Sequence, residues 1–175
     1  NLDEVMKRIH AFKVTGVVEQ TTCKESYTIG TGDKRVALLD YGAKANIAKS
    51  LVKRGCQVTV YPASTPASVI LKEKYDGIML SNGPGDPEEN VQIIEEIKLL
   101  ASSQTPIFAI CLGHQLMALA HGFKTEKMKY GHHGANHPVK DLETGRVYIS
   151  TQNHNFVIKE DSIDSAVAKP WFINV

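Results

Sequence analysis

PIFAICLGHQ, residues 106–115, passes from strand to helix within a few residues, and the reading of this passage decides the fold. Pro106-Ile107-Phe108-Ala109-Ile110 is continuously apolar, the pattern of a strand covered on both faces. Leu116, Met117, Leu119 and Ala120 then supply an apolar helix face, and Gly113 lets the backbone pack closely. Cys111 stands at the junction. A side chain at a sharp strand-to-helix turn is pushed outward beside free helix-terminal N–H groups, whose field favours a thiolate. A buried free cysteine is also common. On this stretch alone the two accounts of Cys111 are equally good.

The same alternation extends back to Arg35. Val36–Leu39 reads as a strand, Ala43–Arg54 as a helix closed by Gly55, and Gln57–Tyr61 as a second strand. Pro66–Lys72 is a short helix and Gly77–Ser81 a third strand. Glu88–Ser102 is a helix with Val91, Ile94, Ile97 and Leu100 at helical spacing, and Pro106–Ile110 is the fourth strand. This β-α-β-α-β-α-β order predicts an α/β fold: an open, mostly parallel, doubly wound sheet with right-handed crossovers. Past Gly122 the texture turns to glycine, histidine and alternating stretches such as Arg146–Ile149, which predicts loops and hairpins over one end of the sheet. Residues 1–34 are polar and mixed, with a short amphipathic helix over Leu2–Phe12 and a Gly-Thr-Gly-Asp turn at 30–33. They read as a linker or docking arm, and the domain as residues 35–175. Trp171 and Phe172 read as a strand whose pairing partners lie beyond Val175.

A chain of 175 residues that is 42% hydrophobic suits one domain with a real core plus an appendage. Lys and Arg number 20 against 19 Asp and Glu, with no basic patch, so nucleic acid is not an expected partner. No apolar run of membrane-spanning length and no secretory signal occurs. Cys23, Cys56 and Cys111 are odd in number and form no CxxC pair, which points to a reducing compartment, the cytoplasm. Cys56 reads as a small core residue and Cys23 as a surface or linker thiol. His132, His133, His137 and His154 cluster in the polar half, but no zinc-type spacing is present and no metal site is expected.

In an open parallel sheet, ligands sit outside the carboxyl ends of the strands. Three polar clusters fall there: Asp40-Tyr41-Gly42 with Lys44 and Asn46, the SNGPGDP run at 81–87, and Cys111. Glycine and proline shape the backbone of SNGPGDP tightly, so its amides can face a ligand. With the Leu112 amide at the helix start, such donors suit an oxyanion. An ordinary turn before the next helix has the same composition. Neither GxGxxG nor GxxxxGK[ST] is present, so a nucleotide phosphate is not indicated. Lys44 and Asn46 read as caps and decoration of the first helix.

VALLDYGAKANI, GIMLSNGPGDP, PIFAICLGHQ, KYGHHGANHPVKD and TQNHNF, in that order, resemble the triad-type (class I) glutamine amidotransferases. Within that family GHHGANHPV and QNH-x-F resemble the carbamoyl-phosphate synthetase small-subunit branch, and the likeness covers residues 35–160. It implies that Cys111 attacks the side-chain amide carbon of glutamine, expels ammonia and leaves a glutamyl thioester for water to hydrolyse. It implies an oxyanion hole from the amides of Gly83 and Leu112, and glutamine binding by Gly83, Gly85, Leu112, Gln115, Asn153, Asn155 and Phe156. No cofactor is expected in this chain. ATP and metal ions are expected on a large synthetase subunit that receives the ammonia, in arginine or pyrimidine synthesis.

The resemblance also implies a histidine base and an orienting glutamate, in a His-Pro-Glu motif downstream of QNH-x-F. The chain reaches Val175 without one, since His137-Pro138 is followed by Val139. The expectation is a C-terminally incomplete domain, preceded by an N-terminal domain outside this chain, and inert on its own. Asn155 and Ala109 stand where the family usually has glycine. The alternative readings are a glutaminase serving anthranilate or guanylate synthesis, and a non-catalytic docking module.

Overall fold

In the computed structural model, which describes residues 1–12 and 14–175, the expected doubly wound α/β architecture is present. Its main sheet holds β1 (Tyr27–Ile29), β2 (Lys34–Asp40), β3 (Cys56–Pro62), β4 (Gly77–Leu80) and β5 (Ile107–Ala109), in the order β1-β3-β2-β4-β5. All neighbours run parallel except β1, which pairs antiparallel with β3. Side chains alternate faces along each strand, and the burial follows that period. Ala37, Leu39, Ile78 and Leu80 face α4 (Ala67–Lys72), α5 (Val91–Ala101) and α6 (Leu112–Ala120), where Ile70, Ile97 and Leu116 complete one core. Leu38, Val58, Val60 and Met79 face the other way, beneath Ala48 and Ile47 of α3 (Ala45–Val52).

Coverage of that second face is uneven. α3 packs over β2 and β3, and Phe108, paired with Met79 across β4 and β5, is 68% exposed. The apolar run at 106–110 is therefore a strand half-buried on one face, through Ile107 and Ala109, and open at Phe108 on the other. The helix expected over 88–102 is also divided. Asp86 accepts the Glu88 amide and Asn90 Nδ2 donates to the Asp86 carbonyl, closing a 3-10 turn at Pro87–Glu89, and α5 begins at Val91. Side chains of Asp and Asn that bond nearby backbone compete with the helix in this way.

The packed unit begins before residue 35. Val18 of α2 (Val17–Thr21) is 2% exposed in the main core, and the Ala63 amide donates to Thr22 Oγ1. Asp40 gathers three amides: Oδ2 accepts from Cys23 at 2.8 Å, and Oδ1 from Gly42 and Ala43 at 2.9 and 2.6 Å. The segment read as a linker thus supplies an edge strand and a clamp on the end of β2. α1 (Leu2–Ala11) buries no residue, and its stripe of Leu2, Val5, Met6 and Ile9 is exposed. Among the described residues no helix is long and apolar enough to cross a membrane.

The loops and hairpins expected past Gly122 form one long antiparallel hairpin, β6 (Thr125–Asp141) and β7 (Val147–Ile158). β8 (Phe172–Asn174) pairs with β6, Asp141 against Phe172. The strand at Trp171-Phe172 therefore finds its partner within the chain. The β6–β7 register shifts twice, between Lys127 and His132 and between Gly134 and His137.

Candidate active site

Cys111 follows β5 and occupies the N-cap position of α6, with φ 52° and ψ −109°. This backbone conformation is sparsely populated by residues with a Cβ, and such residues store about 1–3 kcal/mol of strain. The junction is held by the Gly113 amide, which donates to both Ser81 O and Ile110 O at 3.0 Å. Strand, loop and helix are thereby locked together, and the cysteine side chain is turned out of the core. Its Sγ lies 4.0 Å from the carbonyl oxygen of Asn153 on β7.

Burial pushes the Cys111 thiol above its ordinary range, while the Leu112 N–H and the positive charge of Lys44 pull it back. The helix-terminal field expected from the sequence is present, and desolvation outweighs it. A raised pKa leaves less thiolate at neutral pH. Alkylation of Cys111 by iodoacetamide is expected to climb about tenfold per pH unit from pH 7, with no plateau before the ordinary thiol pKa of about 8.5. A plateau below that, followed by mass spectrometry of the Cys111 peptide, would mean that the helix terminus wins.

The three polar clusters converge at one rim. Ser81 Oγ accepts the Tyr41 amide at 2.9 Å and donates to Asn82 O at 2.8 Å, which fastens the end of β4 to the end of β2. Asn82 Oδ1 accepts the Lys44 amide at 3.1 Å. Gly83 is pressed against the Tyr41 backbone and the Leu112 side chain. Between this rim and the hairpin lies a cleft of about 1760 Å³. Gly83, Gly85, Cys111, Gln115, Asn153, Asn155 and Phe156 all line it, whereas the Leu112 side chain is buried in the core below. Gln115, four residues after Cys111 and 7% exposed, donates from Nε2 to Phe156 O at 2.7 Å and ties α6 to β7. Of the residues read from the sequence as glutamine-binding, all but the Leu112 side chain are thus brought to one cleft.

Two further residues of the cleft carry no site role in the sequence reading. Lys44 holds the N-cap position of α3 without a side-chain cap, lines the cleft, and acts on the Cys111 thiol by its charge. Its place just past the carboxyl end of β2 was the available signal. His133 lines the cleft opposite Asn153. The ring of His132 packs tilted against His137 at 5.2 Å and edge-on against His154 at 5.0 Å between centroids. Among the described residues no group of three or more His, Cys, Asp or Glu is placed to hold a metal ion.

Comparison with known proteins places this geometry. Residues 37–174 match the family model for glutamine amidotransferase class-I. The chain is 57% identical over 132 residues to the carbamoyl phosphate synthase small chain of Pseudomonas syringae pv. tomato, covering 75% of this chain and 35% of that protein. It is 57% identical over 130 residues to the carbamoyl phosphate synthase small chain of Yersinia pestis, covering 74% of this chain and 33% of that one. The chain therefore spans about a third of the length of the curated relatives it matches. Among solved structures it is similar to a putative GMP synthase component from Thermoplasma acidophilum, with TM-score 0.63 and 21% identity over 73% of this chain and 67% of that one. It is also similar to a glutamine amidotransferase from Thermotoga maritima, with TM-score 0.57 and 16% identity over 72% and 62% of the two chains. These two likenesses concern the fold.

Proposed function

Because the chain belongs to the class I glutamine amidotransferase family, we propose that it carries the nucleophile and glutamine pocket of a carbamoyl-phosphate synthase small chain. The Cys111 thiolate attacks the side-chain amide carbon of glutamine, and the carbonyl electron pair moves onto oxygen. The amides of Gly83 and Leu112 receive that oxyanion. Its collapse breaks the C–N bond, and the nitrogen leaves as ammonia once it has gained a proton. The glutamyl thioester that remains is hydrolysed by water to glutamate and free thiol. Gly85 and Gln115 hold the substrate from the sheet side of the cleft, and Asn153, Asn155 and Phe156 hold it from the hairpin wall. Ammonia passes to a large ATP-using subunit, which carries the ATP and the metal ions, and the complex works in the cytoplasm.

One observation carries this reading. Cys111 is turned out at a strained strand-to-helix junction, beside the contact between Gly83 and Leu112, and faces the QNHNF strand across a single cleft. The identity to the small chains favours the carbamoyl-phosphate reading over other acceptors, since the likeness to a GMP synthase component is one of fold. L-2-Amino-4-oxo-5-chloropentanoate, the chloroketone analogue of glutamine, tests it. The Cys111 sulfur displaces chloride, with saturable kinetics, and glutamine protects against the reaction. Cys23 and Cys56, also free thiols, stay unmodified. Labelling spread over all three cysteines, or indifferent to glutamine, would overturn the reading.

A further inference from the structure

The hairpin wall changes register close to where it faces Cys111. Lys127 pairs with Phe156 and His132 with His154, so residues 128–131 of β6 bulge opposite Asn155 of β7. A bulge of this kind interrupts the ladder and leaves its residues to find other partners. His133 supplies one. Its Nδ1 lies 2.8 Å from Asn153 Oδ1 and its Nε2 lies 3.0 Å from Asn155 Oδ1. Asn153 and Asn155 are two apart on a strand and share a face, and His133 stands directly across from Asn153. The intervening His154 turns to the opposite side, its ring nitrogens 2.8 Å from Phe156 O and 3.0 Å from Gln152 Oε1.

The bulge is shaped around this bridge. Gly131 has φ 71°, and a Cβ there would lie 2.5 Å from His133 Nε2 and 2.6 Å from Asn155 Oδ1. Only glycine leaves the niche in which the imidazole reaches both amides. The bridged segment also sets the distance from the wall to the thiol, because Asn153 O is the group 4.0 Å from Cys111 Sγ. Gln115 secures the far end through Phe156 O.

We propose that His133 is a positioning residue of the glutamine pocket, whose ring bridges Asn153 and Asn155 across the β6 bulge and fixes the wall that substrate binds. The inference rests on the glutamine reading of the cleft. His133 bonds the two asparagines and not Cys111, so it acts on binding rather than on the chemical step. The bridge uses the Asn155 side chain, which the glycine usual in the family does not offer. Asn155→Gly therefore removes half of it.

The test follows labelling of Cys111 in the 175-residue chain by the chloroketone analogue over a range of concentrations, with iodoacetamide as an electrophile that needs no pocket. In His133→Ala the half-saturating concentration is expected to rise about tenfold, the worth of one or two lost hydrogen bonds. The limiting labelling rate and the iodoacetamide rate stay within about twofold of the original chain. His133→Gln, whose terminal amide can occupy the Nε2 position, recovers part of the loss, and Asn155→Gly falls between. An unchanged half-saturating concentration in His133→Ala, or an equal change with iodoacetamide, overturns the proposal. Labelling of the unsubstituted chain without saturation overturns the glutamine reading and the inference with it. Saturation in that chain with no effect of His133→Ala overturns the inference alone.

Discussion

Mixed with glutamine, the 175-residue chain is expected to release glutamate no faster than background, although its Cys111 reacts with a glutamine-like electrophile. The two reactions differ in their proton traffic. Chloride leaves the chloroketone as an anion and needs no proton, whereas ammonia leaves an amide only after its nitrogen is protonated, and water must then be activated against the thioester. Class I chemistry assigns both transfers to a histidine oriented by a carboxylate. Among the described residues no histidine of the cleft has such a partner. His114 is desolvated and bonds no carboxylate, His121 Nδ1 meets Met117 O, His133 bridges Asn153 and Asn155, and His154 meets Phe156 O and Gln152. Burial also raises the Cys111 thiol pKa, which lowers its thiolate fraction at neutral pH.

Loss of one member of such a catalytic unit costs on the order of 10⁴ to 10⁶ in kcat. A glutamate dehydrogenase-coupled assay of the purified chain measures it. Steady glutamate release that disappears in Cys111→Ser would overturn the expectation and would show that another group in the cleft carries the proton.

Gly83→Ala is expected to destabilise the chain by about 2–4 kcal/mol and to abolish saturable labelling of Cys111. A Cβ at this position would lie 2.1 Å from Tyr41 O, 2.9 Å from Tyr41 C and 2.7 Å from Leu112 Cδ2. Two of these neighbours are backbone atoms that cannot swing aside. Tyr41 is fully buried, and its amide is bonded to Ser81 Oγ, so the end of β2 cannot yield without breaking the fastening to β4. The displaced loop carries with it the Gly83 amide on which the oxyanion reading depends. Gly77→Ala is the control, because its nearest neighbour would be Pro106 O at an ordinary 3.7 Å. Urea unfolding of the two variants decides the matter. Equal midpoints would mean that the loop repacks around the methyl group.

The main sheet is legible because parallel strands covered by helices are written as apolar runs. Val36–Leu39 and Gly77–Ser81 carry that signal directly. Topology then places the rim, since Asp40 ends, and Ser81 and Cys111 follow, strands that run the same way. Other features depend on distant contacts. Phe108 is as apolar as its neighbours, and nothing local announces that α3 does not reach it. β1 is a short strand at a sheet edge, defined by its partner rather than by its own pattern, and β8, legible as a strand at Trp171-Phe172, has a partner in β6 that its own residues do not announce. β6 mixes glycine, histidine and lysine on both faces, so its alternation does not specify a register. The bulge at 128–131 and the His133 bridge follow from that register alone, and they are invisible in the sequence for the same reason. At Cys111 the local cue is right in kind, but burial is a property of the whole cleft and reverses its outcome.

The backbone at Cys111 has an evolutionary consequence. A glycine in its place adopts φ 52° and ψ −109° without steric conflict, so the single codon change that erases the nucleophile also relaxes the fold. Thermodynamic drift at this position runs toward loss of chemistry. A cysteine at this position is kept against the gradient of stability, as the nucleophile proposed here would have to be.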